Sequence, residues 1–166
     1  MRRLLMASLC TVLLMGQASA QDLNIRDVFK QMPDSLMPYL SITNRLDFID
    51  FIDSDMKAQV KNQMDEDSEM TTLGQDSLSI RMSEALRVDM FLVTLSEPVD
   101  SSSAAVAIIE TFQVDSLYGE SSVRYYTLSW QPLMKEPPLD AASKKRIHEH
   151  ILQNILKKDD EILNKG

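Results

Sequence analysis

The alternation of apolar and polar positions changes period twice along this chain. In "NRLDFIDFIDSDM", residues 44–56, a turn of ~100° per residue gathers Phe48, Ile49, Phe51, Ile52 and Met56 into one arc. Asp47, Asp50 and Asp53 occupy the opposite arc. The spacing predicts an amphipathic helix with Asn44 as its N-cap and Asp47 where a capping-box acid reaches back. Upstream, "DVFKQMPDSLMPYL" is interrupted by Pro33 and Pro38, which predicts one or two short helical turns carrying Val28, Phe29, Leu36, Met37 and Leu40.

After the polar linker "KNQMDEDSE" the period becomes two. "SLSIRMS" sets Leu78, Ile80 and Met82 on one face and Ser77, Ser79, Arg81 and Ser83 on the other, the pattern of a half-buried strand. "EMTTL" before it and the turn "GQD" predict a hairpin. "LRVDMFLVTL" continues the alternation through Leu86, Val88, Met90 and Leu92, and "SEPVDSSS" then breaks it. "AAVAIIETF" is apolar on both faces and predicts a covered central strand; "VDSLYGE" turns the chain into "SSVRYYTLSW". Helical spacing returns at Ile147, Ile151, Leu152, Ile155, Leu156, Ile162 and Leu163. The expected fold is α+β: an antiparallel β-meander of about five strands, packed with N-terminal short helices and a long C-terminal amphipathic helix. The helical part is expected at 27–60, the sheet at 69–130 and the last helix at 143–163, all in one domain spanning 21–166.

The first twenty residues change this inventory. "MRRLLMASLCTVLLMGQASA" has two arginines, an apolar run from Leu4 to Met15, and Ala18 and Ala20 flanking Ser19, as a signal-peptidase site requires. The run is shorter than the ~20 residues that span a bilayer. Cleavage after Ala20 would send the protein to the periplasm or outer envelope with no membrane insertion of the mature chain. It would also remove Cys10, the only cysteine, and with it disulfides, thiol nucleophiles and Cys-ligated metals. The mature chain would keep 15 basic residues against 25 acidic ones, a net charge of −10. Such a surface repels nucleic acid and anionic lipid.

Candidate chemistry is sparse. Counted from Asp65, oxygen-bearing Asp65, Asp67, Glu69 and Asp76 fall at the first, third, fifth and twelfth places of a calcium loop. Met70 stands where such a loop needs glycine, so a solvated acidic linker competes with a calcium site. His148 and His150 lie about 200° apart on a helix and cannot share a ligand or a proton there. No Gly-x-Ser-x-Gly elbow is present, and four glycines allow neither a P-loop nor a GxGxxG. A carboxylate pair for sugar chemistry leaves no trace in sequence spacing. Tyr125, Tyr126 and Trp130 cluster on the last strand, with Tyr118 before it. One set of these faces is expected to pack under the C-terminal helix, and the other to form either core or an interaction surface.

"SLMPYL", "NRLDFIDFIDSDMKAQV" and "SWQPL" resemble an uncharacterised family of small secreted proteins of Bacteroidales-type envelopes, known as a domain of unknown function. The likeness runs from Asp27 to Leu133. It is most specific at Asn44 to Asp47, at Asp53, Ser54, Met56, Lys57 and Ala58, and at Trp130 to Leu133. The linker after Val60 departs from the family pattern by lacking a glycine. The resemblance implies a signal peptide and an α+β domain, and brings no catalytic residues. The sequence therefore leads to an exported, non-catalytic binding domain without cofactors, whose partner is an envelope protein or a glycan. A calcium-dependent or carboxylate-based glycan-directed enzyme and a small hydrophobic-ligand carrier, with the long helix as lid, are the alternatives. Intact-mass analysis of the protein recovered from the envelope should give a mature chain starting at Gln21. A chain still starting at Met1 would make the apolar run an uncleaved anchor.

Overall fold

The computed structural model of the chain describes residues 23–113 and 119–163. The leader with Cys10, the turn carrying Tyr118, and the side chains of Ile155, Leu156, Ile162 and Leu163 lie outside what it describes. Two helices open the fold, α1 (Ile25–Lys30) and α2 (Ile42–Asp53), with a 3-10 turn at Asp34–Leu36 between them. The strands follow: β1 (Gln59–Lys61), β2 (Asp67–Leu73), β3 (Ser77–Arg81), β4 (Leu86–Val99), β5 (Ser102–Gln113), β6 (Gly119–Tyr126) and β7 (Pro132–Leu133). The chain ends in α3 (Ala141–Leu163). All neighbouring strands are antiparallel and their order in the sheet is their order in sequence, a pure meander.

Seven strands among the described residues replace the expected five, because each edge gains a short one. β1 has three residues and β7 two, too few for alternation to register. β7 begins with Pro132, which an edge strand tolerates because one side of it needs no ladder donor. The expected helical segment is shorter than 27–60, since α2 ends at Asp53 and residues 59–61 belong to the sheet. Ser41, not Asn44, caps α2. The Ser41 hydroxyl accepts from the Asn44 N–H at 3.2 Å, and the Asn44 side chain accepts from the Ser41 N–H at 3.2 Å. The break in "SEPVDSSS" falls later than its proline: β4 runs through Pro98, where its pairing to β5 is interrupted, and turns only at Asp100 and Ser101. Both of these residues have positive φ (48° and 64°), as a two-residue type I′ hairpin between Val99 and Ser102 requires.

Both faces of the sheet are covered. Leu78, Ile80, Val88, Met90, Val106 and Ile108 pack against Ile25, Phe29, Phe48 and Ile49 of α1 and α2. On the other face Phe91, Val93, Leu95, Ala105, Ala107 and Ile109 pack against Ile147 of α3, with Ile151 partly buried beside it. The C-terminal helix therefore covers one face, as its periodicity predicts. Ser79, expected in solvent, is buried beneath that layer.

Two polar ties hold the first layer. Arg45 is 1% exposed and donates to the carbonyls of Leu40 (2.8 Å) and Met32 (2.5 Å), fixing the loop between α1 and α2. It also pairs with the solvent-facing Asp34 at 2.8 Å. Trp130 sits at φ 67°, a left-handed conformation that its indole compensates by packing beside Tyr126 and donating from Nε1 to the Val28 carbonyl at 3.1 Å. Arg45→Met leaves two buried carbonyls without their charged donor and should lower unfolding stability by about 3–5 kcal/mol in urea titrations followed by Trp130 fluorescence. Asp34→Asn should shift the same curve little, because that carboxylate is largely in water. Equal losses from both variants would place the tie in the ion pair instead.

Candidate functional site

The acidic residues that suggested calcium do not converge. The Asp67 carboxylate faces Lys61 at 3.1 Å, and Glu69 lies 2.6 Å from Arg81 and 3.6 Å from Lys57. Hydrogen bonding to Lys61 holds Asp67 below the ordinary carboxylate range, and hydrogen bonding to Arg81 does the same for Glu69. Asp76 pairs with Arg146 of α3. Asp65 makes the left-handed turn of the β1–β2 loop, at φ 62°. Among the described residues no three acids or histidines are grouped to hold a metal ion. Asp67, Glu69 and Asp76 are each paired with a cation and Asp65 is placed by its backbone, so the four do not converge as a calcium loop requires.

The aromatic strand divides between the layers. Tyr126 and Trp130 are buried in the α1–α2 core, so neither is an interaction surface. Tyr125 points to the opposite face, half-buried beside Val123 and Leu133. Burial, reinforced by the Glu136 carboxylate, pushes its phenol above the ordinary range.

Two side chains give α3 its seat. Asp89 of β4 is fully buried beneath the helix, opposite Ser79 of β3 in the ladder. Ser79 Oγ donates to Asp89 Oδ1 at 2.5 Å, and Arg87 Nε approaches both carboxylate oxygens at 3.0 and 3.1 Å. From α3, Asn154 donates at 3.4 Å, while His150 Nε2 lies 2.9 Å from Oδ2. Burial alone would raise the Asp89 carboxyl. The His150 and Ser79 side chains, with the Arg87 charge, outweigh burial and hold it below the ordinary range. Although serine, histidine and aspartate meet here, the carboxylate stands between the other two, and the hydroxyl donates to it. Nucleophilic serine chemistry needs histidine in that middle place. Phe91 completes the seat, edge-on to His150 at 4.8 Å with the Arg146 guanidinium 4.8 Å above its ring. His148, two residues away, turns to the other side of α3, as the helical angle predicts.

Because α3 is seated on β4, it leaves part of β6 uncovered. A groove of about 740 Å³ results, floored by Val123, Tyr125 and Leu133 and walled by Leu139, Ile147 and Ile151. Lys135, Lys144 and His148 stand around it against a single carboxylate, Glu136. Beside it runs an open sheet edge. β7 pairs only with Tyr125 and Tyr126, so β6 has no strand along Gly119–Arg124 on its outer side among the described residues. Sequence reasoning found Tyr125 but not the groove, which needs the distance between α3 and β6.

The other face has its own recess of about 340 Å³, floored by Met32, Met37, Met82 and Ile108, with Tyr39, Met64 and Phe112 exposed around it. Among the described residues no helix is long and apolar enough to cross a membrane.

Residues 17–164 match the family described as "Protein of unknown function (DUF3256)". The chain belongs to this family. Its fold is similar to the solved "domain of an uncharacterized protein from Porphyromonas gingivalis W83", with a TM-score of 0.54 at 20% identity. That match covers 68% of this chain and 57% of the other, so the chain spans little more than half the length of the solved one. No curated protein matches. The resemblance to an uncharacterised family is thus shown by the family match, and the solved structure shares the fold.

The depressed Asp89 carboxyl makes the seat of α3 acid-sensitive. A group whose folded pKa lies below its unfolded value contributes stability above about pH 4 and loses it as pH falls through the folded value. Asp89→Asn should therefore cost about 3 kcal/mol near pH 7 in urea unfolding, a gap that begins to narrow below about pH 4 and closes only when pH has fallen past the lower folded pKa, where the native side chain is also neutral. A gap independent of pH would assign the loss to shape and not to charge.

Proposed function

We propose that this family member is an exported, non-catalytic binding domain of the bacterial cell envelope that captures an extended segment of a protein partner by strand addition to β6. The observation that carries the reading is the open outer edge of Gly119–Arg124 alongside an apolar groove. An added strand would gain main-chain hydrogen bonds from that edge, and every second side chain would turn into the groove over Tyr125 and Leu133. The cations around the groove, in a chain whose formal charge is −8, favour a segment that carries acids beside its apolar residues. Export is supported by the leader pattern of residues 1–20. The non-catalytic reading is supported by the order of groups at Asp89, which leaves the only buried serine–histidine–aspartate meeting among the described residues without an activated nucleophile. A glycan partner is less well served, since Tyr126 and Trp130 are buried and Tyr125 is the one strand aromatic of the three that is only half-buried.

Selection of displayed random dodecapeptides on the purified protein tests the proposal. Enriched peptides should carry apolar residues at alternate positions with acids between them, and should slow amide exchange along Gly119–Arg124. Leu133→Glu should weaken their binding by about tenfold or more. Peptides with helical spacing, unchanged exchange at β6, or equal binding to Leu133→Glu would overturn it.

A further inference from the structure

The recess on the opposite face is built differently from the groove, and its lining specifies another kind of ligand. Its floor is Met32, Met37, Met82, Leu86, Val88 and Ile108, an adaptable apolar surface in which methionine predominates. At about 340 Å³ it sits near the lower end of the roughly 300–1,000 Å³ typical of small-molecule sites, too small for a two-chain lipid.

Its mouth is assembled from three separate segments, two of them bonded to each other and the third to the β3–β4 turn. Tyr39 precedes α2, Met64 and Glu66 belong to the β1–β2 loop, and Phe112 ends β5. The Gln63 N–H donates to the Tyr39 carbonyl at 3.0 Å, joining the first two. Asn62 fixes the loop: its Oδ1 accepts from the N–H groups of Met64 (2.8 Å) and Glu66 (3.1 Å), and its Nδ2 donates to Ser68 Oγ and the Met82 carbonyl. Phe112 is held where the Gln113 N–H donates to the Ala85 carbonyl at 2.8 Å. Tyr39, Met64 and Phe112 nevertheless remain 43%, 64% and 48% exposed. Apolar surface kept at the rim of a preformed recess is a binding feature.

Charge selects the ligand. The lining includes two carboxylates, Glu66 and Glu110, and no lysine, arginine or histidine. Glu110 is already paired with Arg124 at 2.6 Å, whereas Glu66 has no cationic partner among the described residues. An anionic amphiphile such as a fatty acid would bring its head to a like charge. A cation would meet the Glu66 carboxylate and the faces of two aromatic rings. We infer that the methionine-floored recess between the α1–α2 layer and the ends of β3 to β5 binds a small amphiphile with a single apolar chain or ring and one cationic amine head, the head lying at Glu66, Tyr39 and Phe112. This differs from a carrier in which the long helix is the lid, because α3 covers the other face.

Octyltrimethylammonium, octanoate and octanol, each below its micellar concentration, separate the possibilities when titrated into protein carrying ¹³C-methyl methionine. The cation should shift the Met37 and Met82 methyl signals and bind about tenfold more tightly than octanoate, with octanol between them. Glu66→Gln, an exposed change, should bring cation and alcohol to within about threefold of each other. Ala85→Trp, which fills the recess from an exposed position, should remove the methyl shifts for all three probes while leaving the thermal midpoint of unfolding in place. Equal binding of all three probes to the native protein, absence of binding, tighter binding of octanoate, or shifts confined to the β6–α3 groove would each overturn the assignment.

Discussion

β4 and β5 are covered on both faces, and a strand in that position can carry a polar side chain only if the chain supplies every partner it needs. Asp89 is the test of this constraint. A carboxylate with no access to water would cost several kcal/mol unless paired and hydrogen-bonded. Here it receives a hydroxyl from β3, a guanidinium from its own strand, and an imidazole and an amide from α3. The two groups from α3 are one helical turn apart, at positions 150 and 154, so the carboxylate sets the rotation of that helix as well as its distance from the sheet. Apolar packing alone would hold α3 against the sheet at many similar angles. Arg146 over Phe91, and its pair with Asp76, fix the next turn back along the same line.

Much of the fold is legible in the sequence, and the parts that are not share a cause. Leu78, Ile80 and Met82 mark β3 because one residue in two must face a core. Phe91, Val93 and Leu95 lie on the same side as Asp89, and that second apolar row was the available sign that the far face is covered too. Reading only Leu86, Val88, Met90 and Leu92 put Asp89 in solvent. β1 and β7 are too short to have a period, and they exist because their neighbours offer ladder partners, a tertiary cause. The groove is a gap between α3 and β6, and no local pattern encodes a gap. Tyr126 and Trp130 were visible as an aromatic cluster, but their burial follows from a left-handed turn at Trp130 that a tryptophan rarely adopts.

The aspartates repay the same comparison. Their density suggested a cation, yet their positions answer to backbone geometry and to pairing. Asp55, Asp65 and Asp100 have φ of 53°, 62° and 48°, the left-handed region that Asp enters more readily than most residues. They close α2, the β1–β2 loop and the β4–β5 hairpin, which explains how a chain with four glycines makes its tight turns. In the β1–β2 loop Asp65 supplies the turn while Asn62 ties the loop's N–H groups. Asp53 at the end of α2 pairs with Arg26 of α1 at 2.6 Å, joining the two helices instead of facing an ion.

Seen from the groove, the Asp89 seat acts at a distance of two strands. Lys144, Ile147, His148 and Ile151 form the helical wall; Ile147 and Ile151 pack with Val123 and Tyr125 of β6, while the polar contacts of the helix are made on β4. The width between wall and edge is thus set by the ladder from Asp89 through Ile109 to Val123, and a hydrogen-bonded ladder stretches very little. β5 contributes Ala105, Ala107 and Ile109 beneath the helix, and the open space lies between α3 and β6. A groove built this way is preformed. If a segment adds to β6 as proposed, its binding would cost mainly the ordering of that segment.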